Sequence, residues 1–566
     1  MRSALGLWNE THPGHPRVAP RMHQHEADEG DRENEVDEDE GLEHRRVEDS
    51  TALPWVPMPR RLCSALFFAA TAALLGAPGA LAGHSPPTPP ISSFARTLTF
   101  PHSQSAPQAS KRVEVLSTVM PRGDANGNVW VHADHAYLGN FGTTRSTCES
   151  GVRVYDLRNP LRPRQVSTFA QPAVEPDMNG SYTDQIRIQH VRTGSFRGAL
   201  AAVGIQGCRD PFNPFVGTRG FALYDVTRPA QPRRLAVVDT KPVWGSHELW
   251  LQAVGGRAYV FTALPRAELR GSPDGVTPGN PDFRIYDVTN PRAPRQVGQW
   301  GIWSNLGIKP TSDQYVHSVI TNRAATRAYL SYWEFGTVIL DISNPAAPRH
   351  VATLLDPTQV ERPHAHSAWL AHGGKVLVET QEFGWFFRLS GTGYPRFWDI
   401  SDETNPRLLG QFRPPGTEQS TVHDPKMAGN RLYLSWYDKG VYVLDFSRPE
   451  APREIAHFVP GAGQNPGNPY CPGCTFVWEA FPNRDYFVAA DMNFGLWIAK
   501  LECVVPRVRG MRLGAARAAI ARSDCRTGRV TRARAGKSRR GRVLRQVPSP
   551  GSRPRFPSQV RLVVGR

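Results

Sequence analysis

The chain has 566 residues and a formal charge of +16, but that charge is not spread along it. Residues 503–566 hold 18 Lys+Arg against one acidic residue, Asp524, a net of +17, so everything before Cys503 sums to −1. Attraction to polyanions therefore belongs to the last 64 residues alone. Beyond residue 82 no stretch reaches the ~20 uninterrupted apolar residues of a membrane-spanning helix, which excludes one there.

Residues 1–57 are rich in Glu, Asp, Arg, His and Pro, with runs such as ENEVDEDEGLEHRR that are too polar to bury a core. They read as a disordered or mis-annotated extension. Met58 then opens a short basic region (Arg60, Arg61), followed by apolar Leu62 to Leu75 and a small-x-small site at Ala80-Leu81-Ala82. Residues 58–82 thus have the pattern of a secretory signal peptide, and translation is expected to begin at Met58. The alternative is a true extension before a single membrane anchor. The twin arginines also permit Tat export. A soluble, extracytoplasmic product is expected. The six cysteines after the signal (Cys148, Cys208, Cys471, Cys474, Cys503, Cys525) read as disulfides in an exported protein.

Residues 83–110 are a Pro/Ser-rich linker. Residues 111–502 carry a repeated string: VYDLRNPLRPRQVSTF, LYDVTRPAQPRRLAVV, IYDVTNPRAPRQVGQW, LDISNPAAPRHVATL, WDISDETNPRLLGQF and LDFSRPEAPREIAHF. Around Asp287 the unit contains four strand-like runs (SHELWLQAV, RAYVFTAL, DFRIYDVT, RQVGQW) separated by Gly and Pro. A four-stranded sheet cannot bury both faces alone, and stacking such sheets around an axis does so. Asp156, Asp225, Asp287, Asp341, Asp399 and Asp445 sit where a carboxylate bonds to turn N–H groups, so they read as turn formers.

A further unit, TFVWEAFPNRDYFVAADMNFGLWIAKL, lacks its last strand, and VEVLSTV at 113–119 resembles that strand. The expectation is an all-β, seven-bladed β-propeller with strand-swapped closure, six blades being the alternative. The recurring [VIL]-x-D-[VIL]-[ST]-x-P-x-x-P-R string resembles the LVIVD-repeat proteins, bacterial and archaeal surface or secreted proteins. That resemblance implies the propeller but no single activity.

Within the repeat frame, His247, His317, His366 and His423 share one position on the innermost strand, and Trp478 takes it in the last unit. Equivalent inner positions encircle the axis, so four imidazoles could converge there as ligands of Cu, Zn, Fe or Ni. Glu248, Asp424 or Glu479 are neighbouring acceptors, and His364 lies beside His366. His132 and His135 fall outside the alignment. The layout is similar to selenium-binding-protein-type methanethiol oxidases, which implies metal-binding histidines, although no motif matches. The competing reading is that these rings bond to channel water and backbone. CPGC at Cys471–Cys474 suits a local disulfide better than zinc or redox chemistry, and Cys148 with Cys208 could pair.

The final module runs CVVPRVRGMRLGAARAAIARSDCRTGRV, then GRVLRQVPSPGSRPRFPSQVRLVVGR. Val505-Pro506-x-Val508-x-Gly510, a helix with Leu513, Ala516 and Ile520 on one face, Gln546, Pro550-Gly551 and a closing strand Val560–Val564 resemble a PASTA domain. That likeness implies a small α+β module associating with peptidoglycan. A Cys503–Cys525 disulfide fits the module, pinning its first strand to the helix end.

Two functions follow as expectations. In the first, a secreted cell-surface binding or scaffold protein engages a protein or glycan on the propeller, and residues 503–566 hold it to a cell-wall polyanion. Nucleic acid and stable membrane insertion are not expected. In the second, a metal-dependent, oxidoreductase-like propeller enzyme uses His247, His317, His366 and His423 as ligands of Cu or Zn.

Overall fold

The computed structural model describes residues 111–121, 125–141, 150–208, 217–240, 245–356, 363–382, 393–461 and 473–566. The extension, signal segment and linker lie outside the described residues, as do Cys148 and Cys471.

The unit at Asp287 folds as its punctuation implies. Strands Glu248–Val254, Arg257–Ala263, Phe283–Asp287 and Arg295–Trp300 pair antiparallel in that spatial order. The first hairpin turns on Gly255 and Gly256, both at positive φ (56° and 77°). Side chains with a Cβ are disfavoured there. Such sheets stack in sequence. The inner strands Asn126–His132, Ile186–Arg192, Glu248–Val254, Ser318–Thr321, Ala365–Ala371, Pro425–Ala428 and Val477–Asn483 each touch the next, and the last touches the first. Apolar side chains fill each gap between neighbouring sheets, as where Phe261, Phe283 and Ile285 meet Val319, Leu330 and Leu340. The domain is a repeat β-propeller.

The expected closure is present. Val113–Val119 pairs antiparallel with Gly495–Leu501, completing the sheet built on Val477–Asn483 and Tyr486–Asp491. Two details show that it stands in for an ordinary outer strand. Every outer strand skips one apolar residue in its register, at Val166, Leu235, Val297, Val351, Leu409 and Ile455, and the closing strand skips Leu116. Ser117 Oγ also donates to the Pro160 carbonyl at 2.6 Å, just as Ser167 Oγ donates to the Pro229 carbonyl at 2.6 Å. The outer strand of one sheet thus seats on the Asp-Pro turn of the next.

Those turns are built by their aspartates. Each carboxylate accepts the backbone N–H two residues on, from Arg158 to Asp156 at 2.9 Å through Ser447 to Asp445 at 3.1 Å. In four copies the string's terminal arginine returns to the same carboxylate, for example Arg407 to Asp399 at 2.7 Å.

After Leu501 the chain forms a small α+β module. Helix Leu513–Arg522 packs on strands Arg526–Ala533, Gln559–Gly565 and Val543–Val547, the first two parallel and the last antiparallel. Val505, Val508, Ala516, Ile520, Val543, Val560, Leu562 and Val564 form its core, and Cys503–Cys525 is a disulfide. Cys208 and Cys474 are each disulfide-bonded as well. No helix among the described residues is long and apolar enough to cross a membrane.

Candidate functional site

The aligned histidines do meet at the axis. His247 and His317 immediately precede their inner strands, His366 is the second residue of its strand, and Asp424 alone separates His423 from its strand. They therefore cap one end of the channel instead of lining its length. Consecutive ring centroids are 4.4 Å (His247–His317), 4.2 Å (His317–His366) and 4.3 Å (His366–His423) apart. Trp478 continues the arc 4.3 Å beyond His423.

The partners of each Nδ1 decide what the rings can do. His317 Nδ1 lies 3.1 Å from the His366 carbonyl, and His423 Nδ1 lies 2.6 Å from the Trp478 carbonyl. A carbonyl only accepts, so both Nδ1 atoms carry hydrogen. His247 Nδ1 is 3.0 Å from the Gln206 side-chain amide. His366 Nδ1 is 2.9 Å from Ser367 Oγ, whose own proton goes to Asp424 Oδ1 at 2.5 Å. In a neutral imidazole with hydrogen on Nδ1, Nε2 is a bare lone pair. Burial holds the rings neutral: it brings His247 and His423 down to about 4, and pushes His317 and His366 well below the ordinary histidine range.

His317 Nε2, an acceptor, faces His247 Nε2 at 2.9 Å, and the Gln206 amide at His247 Nδ1 sets whether the His247 nitrogen donates or is a second lone pair. A neutral His247 with hydrogen on Nε2, or a cation shared by the two rings, satisfies this approach. A third ring and a carboxylate complete the group. The nearest donor atoms of His317, His366 and Glu382 all lie within 4.8 Å of one another, with His366 Nε2 3.6 Å from Glu382 Oε2. Burial raises Glu382 to about 7, and the Tyr437 hydroxyl, which donates to its other oxygen, opposes the rise. Two imidazoles and one carboxylate, with a third imidazole adjacent, suit a transition metal with open positions.

His423 lies outside that mutually close set, and its ring is 5.0 Å from Tyr437. His364 Nε2 lies 3.6 Å from Glu334 Oε1. Trp333 stands 5.0 Å from His317 and 5.6 Å from His364. Trp333 and His364 have positive φ (31° and 41°). Strained backbone of this kind persists where surrounding structure holds it, commonly around functional sites.

Two expected acceptors are used elsewhere. Glu248 pairs with Arg187 at 3.5 Å, while Glu479 accepts the Val129 N–H at 2.9 Å and pairs with Lys426 at 2.7 Å. Buried cations took them because an unpaired carboxylate in the channel would cost several kcal/mol, of order 3–5. Of the three, only Asp424 reaches the histidines, through Ser367. Glu382 and Tyr437 were missed. Their signal was in the repeat: Glu382-Phe383-Gly384 echoes Glu334-Phe335-Gly336, and Tyr437 falls at the matching strand end.

Below the histidines the channel is polar and then aromatic. Asp184 Oδ1 accepts the Asn128 N–H at 3.2 Å, whereas Asp184 Oδ2 and the Asn128 side-chain amide have no partner among the described residues. Buried polar atoms of that kind hold water. Further down, Arg187 lies 5.0 Å above Trp130 and Lys426 5.0 Å above Trp369.

The family model "LVIVD repeat" matches residues 328–355. No curated protein matches the chain. Among solved structures it is similar to Raptor from Chaetomium thermophilum (12% identity, TM-score 0.46), covering 69% of this chain and 30% of that one. It is also similar to the computationally designed Ika8 protein (9% identity, TM-score 0.41, 68% and 99% of the two chains). The β-propeller domain of Cps50 (Swd1) from Myceliophteria thermophila is similar too (11% identity, TM-score 0.41, 68% and 99%). The chain spans less than a third of the Raptor chain.

Proposed function

We propose that the propeller axis is a transition-metal centre and that the chain is a metal-dependent, oxidoreductase-like propeller protein. The observation that carries this reading is the cluster of donor atoms of His317, His366 and Glu382, all within 4.8 Å of one another, with His247 Nε2 2.9 Å from His317 Nε2. His317, His366 and Glu382 are the ligands, with His247 as fourth donor. Ser367, Gln206 and the two carbonyls set the ring tautomers, and Tyr437 orients Glu382. His423 and Trp478 wall the site. The metal would act as a Lewis acid or one-electron centre on a small molecule arriving at the capped end. Elemental analysis of protein grown with Cu, Zn and Fe tests this directly. We expect about one metal per chain, retained on dialysis and lost from the His317→Ala/His366→Ala variant with the fold intact by circular dichroism. Metal-free wild type, or equal metal in the variant, would overturn it.

The finer architecture goes with this reading. The repeat domain counts seven blades, the last closed by Val113–Val119, and residues 503–566 are PASTA-like, with export through the segment at 58–82. The binding or scaffold role is then a second reading, favoured by one observation: the module is bolted to the propeller by Asp524, which meets Arg112 at 3.3 Å and Arg431 at 2.5 Å. A module so held could fix the propeller to a cell wall or peptidoglycan. Retention of full-length protein on peptidoglycan, compared with a chain ending at residue 502, tests it. Equal retention would reject it.

A further inference from the structure

Docking consumes the only acid that the C-terminal module has. Asp524 is buried between Arg112 and Arg431, while Lys500 Nζ bonds Ser558 Oγ at 2.7 Å and the Phe556 N–H bonds Glu114 at 3.2 Å. The arginines on the far side are left without internal counter-charge.

The strand register shows which of them share a surface. Leu562 and Val564 are buried, so Arg561 and Val563 point to the opposite face. Val563 pairs with Arg545 on one neighbouring strand and with Thr531 on the other, and directly paired residues share a face. Val530 pairs with buried Leu562, which turns Arg529 outward. A Cβ on the adjacent Gly528 would touch the Gln559 and Arg561 side chains, consistent with that face. Arg529, Arg545 and Arg561 are exposed, and none has an ion-pair partner among the described residues.

We propose that this sheet face is the docking surface for a phosphodiester polymer of the cell envelope. The guanidinium fork matches phosphate bidentately, whereas lysine acts as a point charge, and Lys537 is the only lysine among the module's 18 basic residues. An envelope polymer fits better than nucleic acid on two grounds. The module carries the Cys503–Cys525 bridge, and disulfides persist in oxidising compartments. The face also offers Thr531, Gln559 and Val563 between its arginines, so it has no aromatic ring on which a base could stack. Because the module is fixed to the propeller by ion pairs, the polymer would hold the ring in one orientation. This surface is independent of the metal centre and rests on the second reading above, in which the module holds the propeller to a cell wall.

The test is binding of the full chain to purified polyglycerol-phosphate teichoic acid across a salt series. Affinity should fall log-linearly with salt, and Arg529→Gln/Arg545→Gln/Arg561→Gln should weaken it about tenfold or more and flatten that slope. Melting temperature and metal content should not change. The helix variant Arg512→Gln/Arg517→Gln/Arg522→Gln removes the same charge from another face and should weaken binding far less. Equal weakening in both variants, or none in the first, would overturn the proposal. So would equal affinity for polygalacturonate, a carboxylate polymer, or tighter binding of duplex DNA.

Discussion

The rim and the axis of this propeller use the same residue types in opposite ways. At the rim, Asp156 and Asp445 are drawn down to about 2. The Arg158 side chain is the main cause for the first, and Ser447 with Arg453 for the second. Asp225, Asp341 and Asp399 move in the same direction. At the axis burial dominates, raising Asp184 to about 8 and Glu382 to about 7 and lowering His247 and His423 to about 4. A carboxylate given donors in water is a structural fastener. Sealed in a channel, it becomes a group awaiting a cation or a proton. Variants at the rim should therefore change stability and leave the axis chemistry alone, and variants of the axis carboxylates should act on stability only through pH.

The largest expected effect lies at the rim. Gly298 holds the position that Ser117 and Ser167 hold in their strands, and a Cβ there would come 1.8 Å from the Pro345 carbonyl oxygen. That neighbour is backbone and cannot rotate aside. Gly298→Val should cost about 3–5 kcal/mol, read by urea unfolding, while metal per folded chain stays at the wild-type value. An unchanged unfolding midpoint would mean that outer strand and next turn are not in contact.

Asp184→Asn should be milder and should appear only through pH. The folded carboxyl sits at about 8, against 3.8 ordinarily. Its contribution is thus fully present below pH 3.8 and is lost as pH rises through 8. The amide cannot ionise and still offers an oxygen to the Asn128 N–H. The variant should match wild type at pH 4 and exceed it by on the order of 2 kcal/mol at pH 9, a figure discounted for water in the channel. Parallel pH profiles for the two proteins would place Asp184 in contact with bulk solvent and blur the contrast between axis and rim.

What could be read from residues alone followed the repeat. The Asp turns, the closing strand 113–119 and the common frame of the four histidines are periodic and local, so each copy supports the others. Glu382 and Tyr437 were harder, because they come from the ends of second strands and reach the histidines only once neighbouring sheets are stacked. The fates of Glu248 and Glu479 could not be read, since their partners Arg187 and Lys426 lie on other sheets. Closure depended on matching VEVLSTV to RQVSTF, the outer strand of the next unit, and then carrying it to a sheet more than 300 residues further along the chain. The shared bulge and the Ser117 hydrogen bond account for why that match works.

The smallest expected effect comes from the most visible residues in the sequence. Asp445 accepts the Ser447 N–H at 3.1 Å and the Ser447 hydroxyl at 2.7 Å, and pairs with Arg453 at 2.8 Å. It is partly exposed, so water replaces much of what Asp445→Ala removes. The turn is also held by Pro449 and by its neighbours in the ring. The loss should be about 1 kcal/mol. Its sign with pH is opposite to that of Asp184: a depressed carboxyl stabilises above its ordinary pKa and loses that contribution as pH falls through about 2. The gap between wild type and Asp445→Ala should therefore be constant from pH 5 to 8 and close in strong acid, with metal content untouched throughout. A gap that widened in acid, or a metal loss at neutral pH, would show that this turn reports on the axis after all.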